Sequence, residues 1–278
     1  MIYFSKSTNV PFEKLLAEKY AEYQFNTFLL NIKHLITLSQ FTNSQLNMNI
    51  NSINWESIKN DLDEQGYSVI PSLIPTDVCS QLIASYTQAD LYRSTIVMKR
   101  YNFGKGEYKY FAYPLPESIA YLRNEMYSPL SKVANEWNQK LGIHFTYPEK
   151  HADFIEACRQ QNQCRPTPLI LKYEKGDFNT LHQDLYGDLY FPFQAVLFLT
   201  QVNEDYTGGE FVLIEQKPRL QSQAIVLQPK RGDMVIFTTN FRAAKGTRGY
   251  FRSPMKHGVS KLHSGNRYTV GIIFHDAK

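Results

Sequence analysis

The 278-residue sequence predicts an α+β protein in which an antiparallel sandwich or barrel of jelly-roll type is buttressed by helices that precede it. Two observations carry this. Apolar residues recur at helical intervals through the first part of the chain, and after Pro168 the pattern changes to short β runs separated by turn signals. No βαβ alternation occurs in that second part, which speaks against a parallel sheet.

In chain order, "PFEKLLAEKYAEYQFNTFLLNIKHLITLSQF" (11 to 41) spaces Phe12, Leu15, Leu16, Tyr20, Tyr23, Phe28 and Leu29 as one helical face, then gives way to the Asn-rich "TNSQLNMNINSIN". Residues 1–53 are therefore expected to be a helical extension and linker, with Met48 a candidate second translation start. Residues 54–278 are expected to be the main domain, divided into helical support (54–167) and β core (168–278). From Asn54 the chain reads as a helix ended by Gly66, the strand "YSVI", and a helix whose first turn follows Pro75. "SIAYLRNEMYSPLSKVANEWNQKLG" (118 to 142) and "PEKHADFIEACRQQN" (148 to 162) are two further amphipathic helices. The β runs are "LILKYE", "QAVLFLTQV", "GEFVLIEQ", "QAIVLQP", "GDMVIFTT" and "RYTVGIIFHD".

A hydrophobic content of 43% suffices for a sizeable core, and the net charge of +4 permits an anionic partner without requiring one. No apolar run reaches the length of a membrane span, and "MIYFSKSTNV" lacks the basic start and apolar core of a secretory signal, so a cytoplasmic location without membrane association is expected. Cys79, Cys158 and Cys164 match neither a redox pair nor a zinc knuckle, and the spacing of His151, Cys158 and Cys164 does not suit zinc; reduced, buried thiols are expected.

Chemistry is concentrated in "LHQDLYGD" (181 to 188). On a strand, His182 and Asp184 share one face about two rises of roughly 3.3 Å apart, and Gln183 points the other way. A bare His-x-Asp is commonly a solvated strand face, so a third ligand decides. His257 in "MKHGVSKL" has the best context, after the strand "GDMVIF" and before a turn at Ser264-Gly265-Asn266. His263 beside that turn is the alternative, and His275 reads as a partly buried histidine satisfied by a neighbour. Two imidazoles and one carboxylate leave three positions open on octahedral Fe(II), whereas zinc prefers a nearly closed tetrahedron. Arg267, ten positions after His257, is a candidate fork for a dicarboxylic co-substrate, with Thr269 on the same strand face as a further donor.

"LKYEKGDFNTLHQD", "TGGEFVLIE", "PKRGDMVIF", "KHGVS" and "GNRYTVGIIF" together resemble the Fe(II)/2-oxoglutarate-dependent dioxygenase superfamily, in the branch of prolyl hydroxylase-like enzymes and bacterial oxygenases of undefined substrate. The resemblance covers residues 170 to 276. It implies a double-stranded β-helix, iron bound by His182, Asp184 and His257, and 2-oxoglutarate whose far carboxylate meets Arg267. Tyr173 is similarly placed to a family tyrosine that donates to the co-substrate; its other reading is a core aromatic. The implied reaction consumes O2 and 2-oxoglutarate, releases succinate and CO2, and hydroxylates a C–H bond of a protein, amino acid or small-molecule substrate. "LHQD" is also similar to the AlkB-type nucleic-acid demethylases, but their second arginine, six positions after the first, is replaced here by Ile273. A jelly-roll module that keeps metal without turnover is the third class.

Two aromatic and basic stretches, 228–258 and 100–116, read as loops that either hold an acidic substrate or nucleic acid or are simply solvated. The first carries Lys230, Arg231, Arg242, Lys245, Arg248, Arg252 and Lys256 and is expected at the mouth of the site. In the second, Gly104 and Gly106 do not form a phosphate fingerprint.

Overall fold

The computed structural model of the protein describes residues 48–185 and 187–278. The helix expected over 11–41 lies outside the described residues. Four helices are α1 (Trp55–Gln65), α2 (Thr76–Ser85), α3 (Glu117–Lys140) and α4 (His151–Gln160). The Asn54 side chain caps α1 by accepting from Ser57 N at 3.1 Å, and Gly66 ends it with φ 79°.

In chain order the strands are β1 (Tyr67–Ile70), β2 (Tyr92–Val97), β3 (Gly104–Lys105), β4 (Glu107–Phe111), β5 (Leu169–Glu174), β6 (Phe178–His182) and β7 (Phe193–Phe198). They continue as β8 (Tyr206–Gly208), β9 (Phe211–Glu215), β10 (Gln223–Leu227), β11 (Met234–Thr238), β12 (Phe241–Gly246), β13 (Gly249–Val259) and β14 (Leu262–Ile273). The larger sheet runs β1-β11-β7-β14-β5-β4-β2, with β8 on β14, and the smaller runs β10-β9-β13-β6-β3, with β12 on β13. Every pairing between these strands is antiparallel. The expected double-stranded β-helix core is the observed architecture.

The larger sheet is covered on both faces, which explains why β11 is buried at all five positions. Met234 and Ile236 point to the helical side, where they pack with Leu130, Trp137 and Ile272. Val235 and Phe237 point between the sheets, where they meet Phe198, Phe211 and Met255. Side-chain alternation with a period of two therefore feeds two separate cores. Helix α3 also pins the end of the chain: the buried Arg123 guanidinium pairs with Asp276 at 2.8 Å and donates to Ile273 O and His275 O.

Several local readings are corrected. Stretch 228–258 is no loop. It contains β11 and the hairpin of β12 and β13, whose two-residue turn follows six register pairs from Phe241↔Pro254 to Gly246↔Gly249. Stretch 100–116 contains β3 and β4, and "EYKYF" alternates as a strand should. The support region thus supplies β1, β2 and β4 to the larger sheet as well as helices. Residues 264–266 are not a turn but lie inside β14, where Ser264 and Gly265 pair with β8. Gly265 permits this with φ 75°, since a Cβ there would lie 1.9 Å from Asp205 O. Cys79 and Cys158 are buried as expected, but Cys164 is exposed. His275 is fully buried rather than partly; its Nδ1 accepts from Phe191 N while its Nε2 has no partner among the described residues.

Candidate metal centre

His182 is the last residue of β6, and its register partner across the ladder is His257 of β13. The pairing sets the two rings 4.2 Å apart. Asp184 does not share a strand with His182 as expected: β6 ends at His182, and residues 183–185 are irregular. What returns Asp184 to the histidines is a pair of side-chain amides. Gln183 does point elsewhere, and its Nε2 donates to Asn240 O at 2.7 Å and to Met255 O at 2.9 Å, tying the irregular segment to β13. Gln194 of β7 donates to Asp184 Oδ2 at 3.0 Å and so orients the carboxylate.

The ligating atoms of His182, Asp184 and His257 lie within 4.8 Å of one another, and this is the sole group of three or more His, Cys, Asp or Glu so arranged among the described residues. Asp184 Oδ1 is 3.5 Å from His182 Nε2 and Oδ2 is 3.3 Å from His257 Nε2. His182 Nδ1 sits 2.7 Å from Thr180 O; a carbonyl only accepts, so Nδ1 carries the proton and Nε2 presents its lone pair to the centre. Burial, and then the neighbouring His257, push the His182 pKa below its ordinary value, which keeps the imidazole neutral and ready to ligate. The donor set of two imidazoles and one 7% exposed carboxylate suits Fe(II) with three positions left open. His263, the alternative ligand, is exposed on β14 and stands outside the group.

One cavity of about 230 Å³ is lined by His182, Asp184, His257, Arg267, Tyr173 and Thr269. Arg267 and Tyr173 are register partners across β14 and β5. Arg267 is 1% exposed, its guanidinium lies 5.6 Å from the Tyr173 ring and 5.2 Å from the Phe198 ring, and no ion pair to it occurs among the described residues. Its Nε and the Tyr173 hydroxyl are both buried without a hydrogen-bond partner there. A buried cation beside an unpaired hydroxyl is costly unless an anion completes it, so the chamber fits a carboxylate ligand. Burial also pushes the Tyr173 pKa upward, so the phenol remains a donor at neutral pH.

Sequence reasoning missed Gln194, Tyr108 and Tyr110, of which the tyrosines line the same cavity from β4. The alternation of "EYKYF" was a usable signal for the tyrosines; nothing local marks Gln194.

A family model named Oxygenase-NA, described as an oxygenase catalysing oxidative methylation of damaged DNA, matches residues 106–277. The chain belongs to the Oxygenase-NA family. The match contains every residue of the cavity floor named above. An uncharacterized protein of Mycobacterium tuberculosis, found in two strains, is 44% identical over 167 residues, covering 60% of this chain and 72% of the relative. Among solved structures, a Trichoplax adhaerens prolyl hydroxylase in complex with a hypoxia inducible factor peptide is 15% identical, with a TM-score of 0.51 over 85% of this chain and 91% of that one. A Pseudomonas putida prolyl-4-hydroxylase is 14% identical, with a TM-score of 0.48 over 81% and 99%. This Oxygenase-NA member therefore has the fold of the 2-oxoglutarate/Fe(II) oxygenases, the superfamily whose members use Fe(II), 2-oxoglutarate and O2. No helix among its described residues is long and apolar enough to cross a membrane.

Proposed function

We propose that this oxygenase binds Fe(II) through His182, Asp184 and His257, holds 2-oxoglutarate by its far carboxylate on Arg267, and hydroxylates a C–H bond of a modified nucleobase. The observation that carries the co-substrate assignment is the buried, uncompensated Arg267 in the same cavity as the His-Asp-His group. Its planar fork suits two parallel hydrogen bonds to a carboxylate. The hydroxyls of Tyr173 and Thr269 are the further donors proposed there.

Bound iron, with O2 and 2-oxoglutarate, supplies the oxidation and yields succinate and CO2. The chain's own part is positioning. Thr180 O fixes the His182 tautomer, Gln194 holds the Asp184 carboxylate, and Phe237, with its ring 4.8 Å from that of His257, helps keep water away. When the oxidised carbon is an N-methyl group, the C–H bond becomes C–OH; breakage of the C–N bond then releases formaldehyde and returns the proton to nitrogen.

The nucleobase reading is supported by the description attached to the family and by the shape of the chamber. At about 230 Å³ it is smaller than the roughly 300–1,000 Å³ pockets that enclose whole ligands, and its walls include Tyr108, Tyr110, Leu169, Leu171 and Phe211. Co-substrate plus one flat group of a larger molecule is the load it suits. The peptide or small-molecule reading expected from sequence remains the second outcome of the test. Iron-loaded protein is given 2-oxoglutarate and O2, succinate is measured, and methylated oligonucleotides and peptides are screened by mass spectrometry. Absence of succinate overturns the oxygenase assignment; a mass change on peptides alone overturns the nucleobase assignment.

A further inference from the structure

The segment from Met98 to Gly106 holds an arrangement that the metal chemistry does not use. Tyr101 and Phe103 are stacked on each other, with ring centroids 5.6 Å apart and planes 18° apart, yet they remain 54% and 48% exposed. Two aromatic rings held together in water present apolar surface that solvent alone does not explain.

Their position is built rather than accidental. Met98 is fully buried and anchors the segment, Met98 N donates to Gly106 O at 3.0 Å, and Phe103 N donates to Met98 O at 3.3 Å. Thr180 donates twice to Phe103 O, from its backbone N at 3.0 Å and its hydroxyl at 2.9 Å. Gly104, with φ 129°, lets β3 close on β6, since a Cβ there would lie 2.4 Å from Phe178 O. Thr180 is the residue whose carbonyl fixes His182, so the stacked pair is clipped to the strand that ends in the metal group. Phe103 lines the cavity and Tyr101 extends the stack outward.

The charge around the rings is one-sided. Lys99 and Arg100 are exposed and have no ion-pair partner among the described residues, while Lys105 reaches Asp177 at 3.3 Å. The hairpin of β12 and β13 is a poorer candidate. Arg242 is buried against Glu215 at 2.7 Å, and Arg248, nine residues before His257 along β13, stands about 30 Å from it at ~3.3 Å per residue. Arg252 and Lys256 occupy alternate positions to His257 and so face the other side of the sheet.

We propose that Tyr101 and Phe103 are a stacking platform for unpaired bases of a single-stranded nucleic acid, with Lys99 and Arg100 meeting its phosphates and Phe103 guiding one base into the chamber. This rests on the nucleobase reading above and adds to it a site and a preference for single strands. A duplex covers the faces of its bases, and only an unpaired base offers a face to a protein ring. Both rings precede the segment matched by the family, which begins at residue 106.

Fluorescence anisotropy of a labelled single-stranded oligodeoxynucleotide tests this on full-length protein without iron or 2-oxoglutarate. The wild type is expected to bind with affinity that falls as salt rises, and Tyr101→Ala to weaken binding fivefold or more while Tyr101→Trp retains it. Lys99→Glu with Arg100→Glu should reduce the slope of log affinity against log salt by roughly one. Equal melting temperatures verify that the variants are folded. Wild-type-like binding by Tyr101→Ala, equally tight binding of a duplex, or displacement of the oligonucleotide by a polyglutamate peptide at equal charge each overturns the proposal. Because iron takes no part, failure here leaves the oxygenase reading standing, and absence of succinate formation would overturn that reading with binding unaffected.

Discussion

The Gln194 side-chain amide donates to Asp184 Oδ2 at 3.0 Å, the described hydrogen bond that aims the sole carboxylate of the metal group. Gln194→Leu keeps the volume near that of glutamine and removes the donor. It is expected to lower iron affinity 10- to 100-fold, the usual cost of losing a partner that orients a ligand. Iron competition titration with a chromophoric chelator reads this, and unchanged affinity would show that Asp184 needs no such support.

Asp184→Ala removes the one anionic ligand and is expected to leave protein that melts cooperatively but retains no stoichiometric iron. His257→Ala should behave alike and His263→Ala should bind iron as wild type does, since His263 stands on the surface of β14. Metal analysis of the three purified variants decides between the histidines; stoichiometric iron in Asp184→Ala or His257→Ala sinks the assignment.

Arg267→Ala is expected to keep iron while weakening 2-oxoglutarate roughly 10- to 100-fold, because hydrogen bonds to a charged group are worth about 1.5–3 kcal/mol. Tyr173→Phe removes one neutral donor and should cost less, about threefold to tenfold. Calorimetry of 2-oxoglutarate binding to protein loaded with a redox-inert divalent metal separates the two. An unchanged dissociation constant in Arg267→Ala would remove Arg267 from the co-substrate site.

Burial, and then the neighbouring Arg123, depress the His275 pKa from 6.5 to about 4, and His151 is depressed to about 4 for the same reasons. The unfolded chain therefore binds more protons than the folded chain between these values. Stability is full above pH 6.5 and falls as pH drops towards 4, by up to about 3 kcal/mol for His275 alone. His275→Asn keeps an acceptor for Phe191 N and removes the titration, so its melting temperature should fall less than that of wild type between pH 7 and pH 4.5. Parallel losses in the two proteins would contradict the assignment.

Much of this protein was decided by local sequence. Asn54, Gly66 and Pro75 mark helix boundaries with side-chain and backbone chemistry that acts within a few residues, and the helices and most β runs fall where periodicity places them. The spacing of His182, Asp184, His257 and Arg267 was legible because a strand carries ligands in a fixed order. Where a hairpin was read as a loop, over 241–256, the misleading signal was its charge: Arg252 and Lys256 lie on the solvent face of a strand whose other face holds Met255 and His257.

Tertiary structure alone decided the rest. Nothing near Asp184 shows that its strand stops at His182, or that Gln194 would reach back to hold it; that contact exists because β7 and β6 lie in different sheets that close on one cavity. Nor does sequence show that Arg267 would lack a counterion, since a charge is uncompensated only relative to everything packed around it. The stacked Tyr101 and Phe103 are set by Thr180, far along the chain, through two hydrogen bonds to one carbonyl. Periodicity reports which face of an element avoids water, and registry between distant strands decides which side chains meet there.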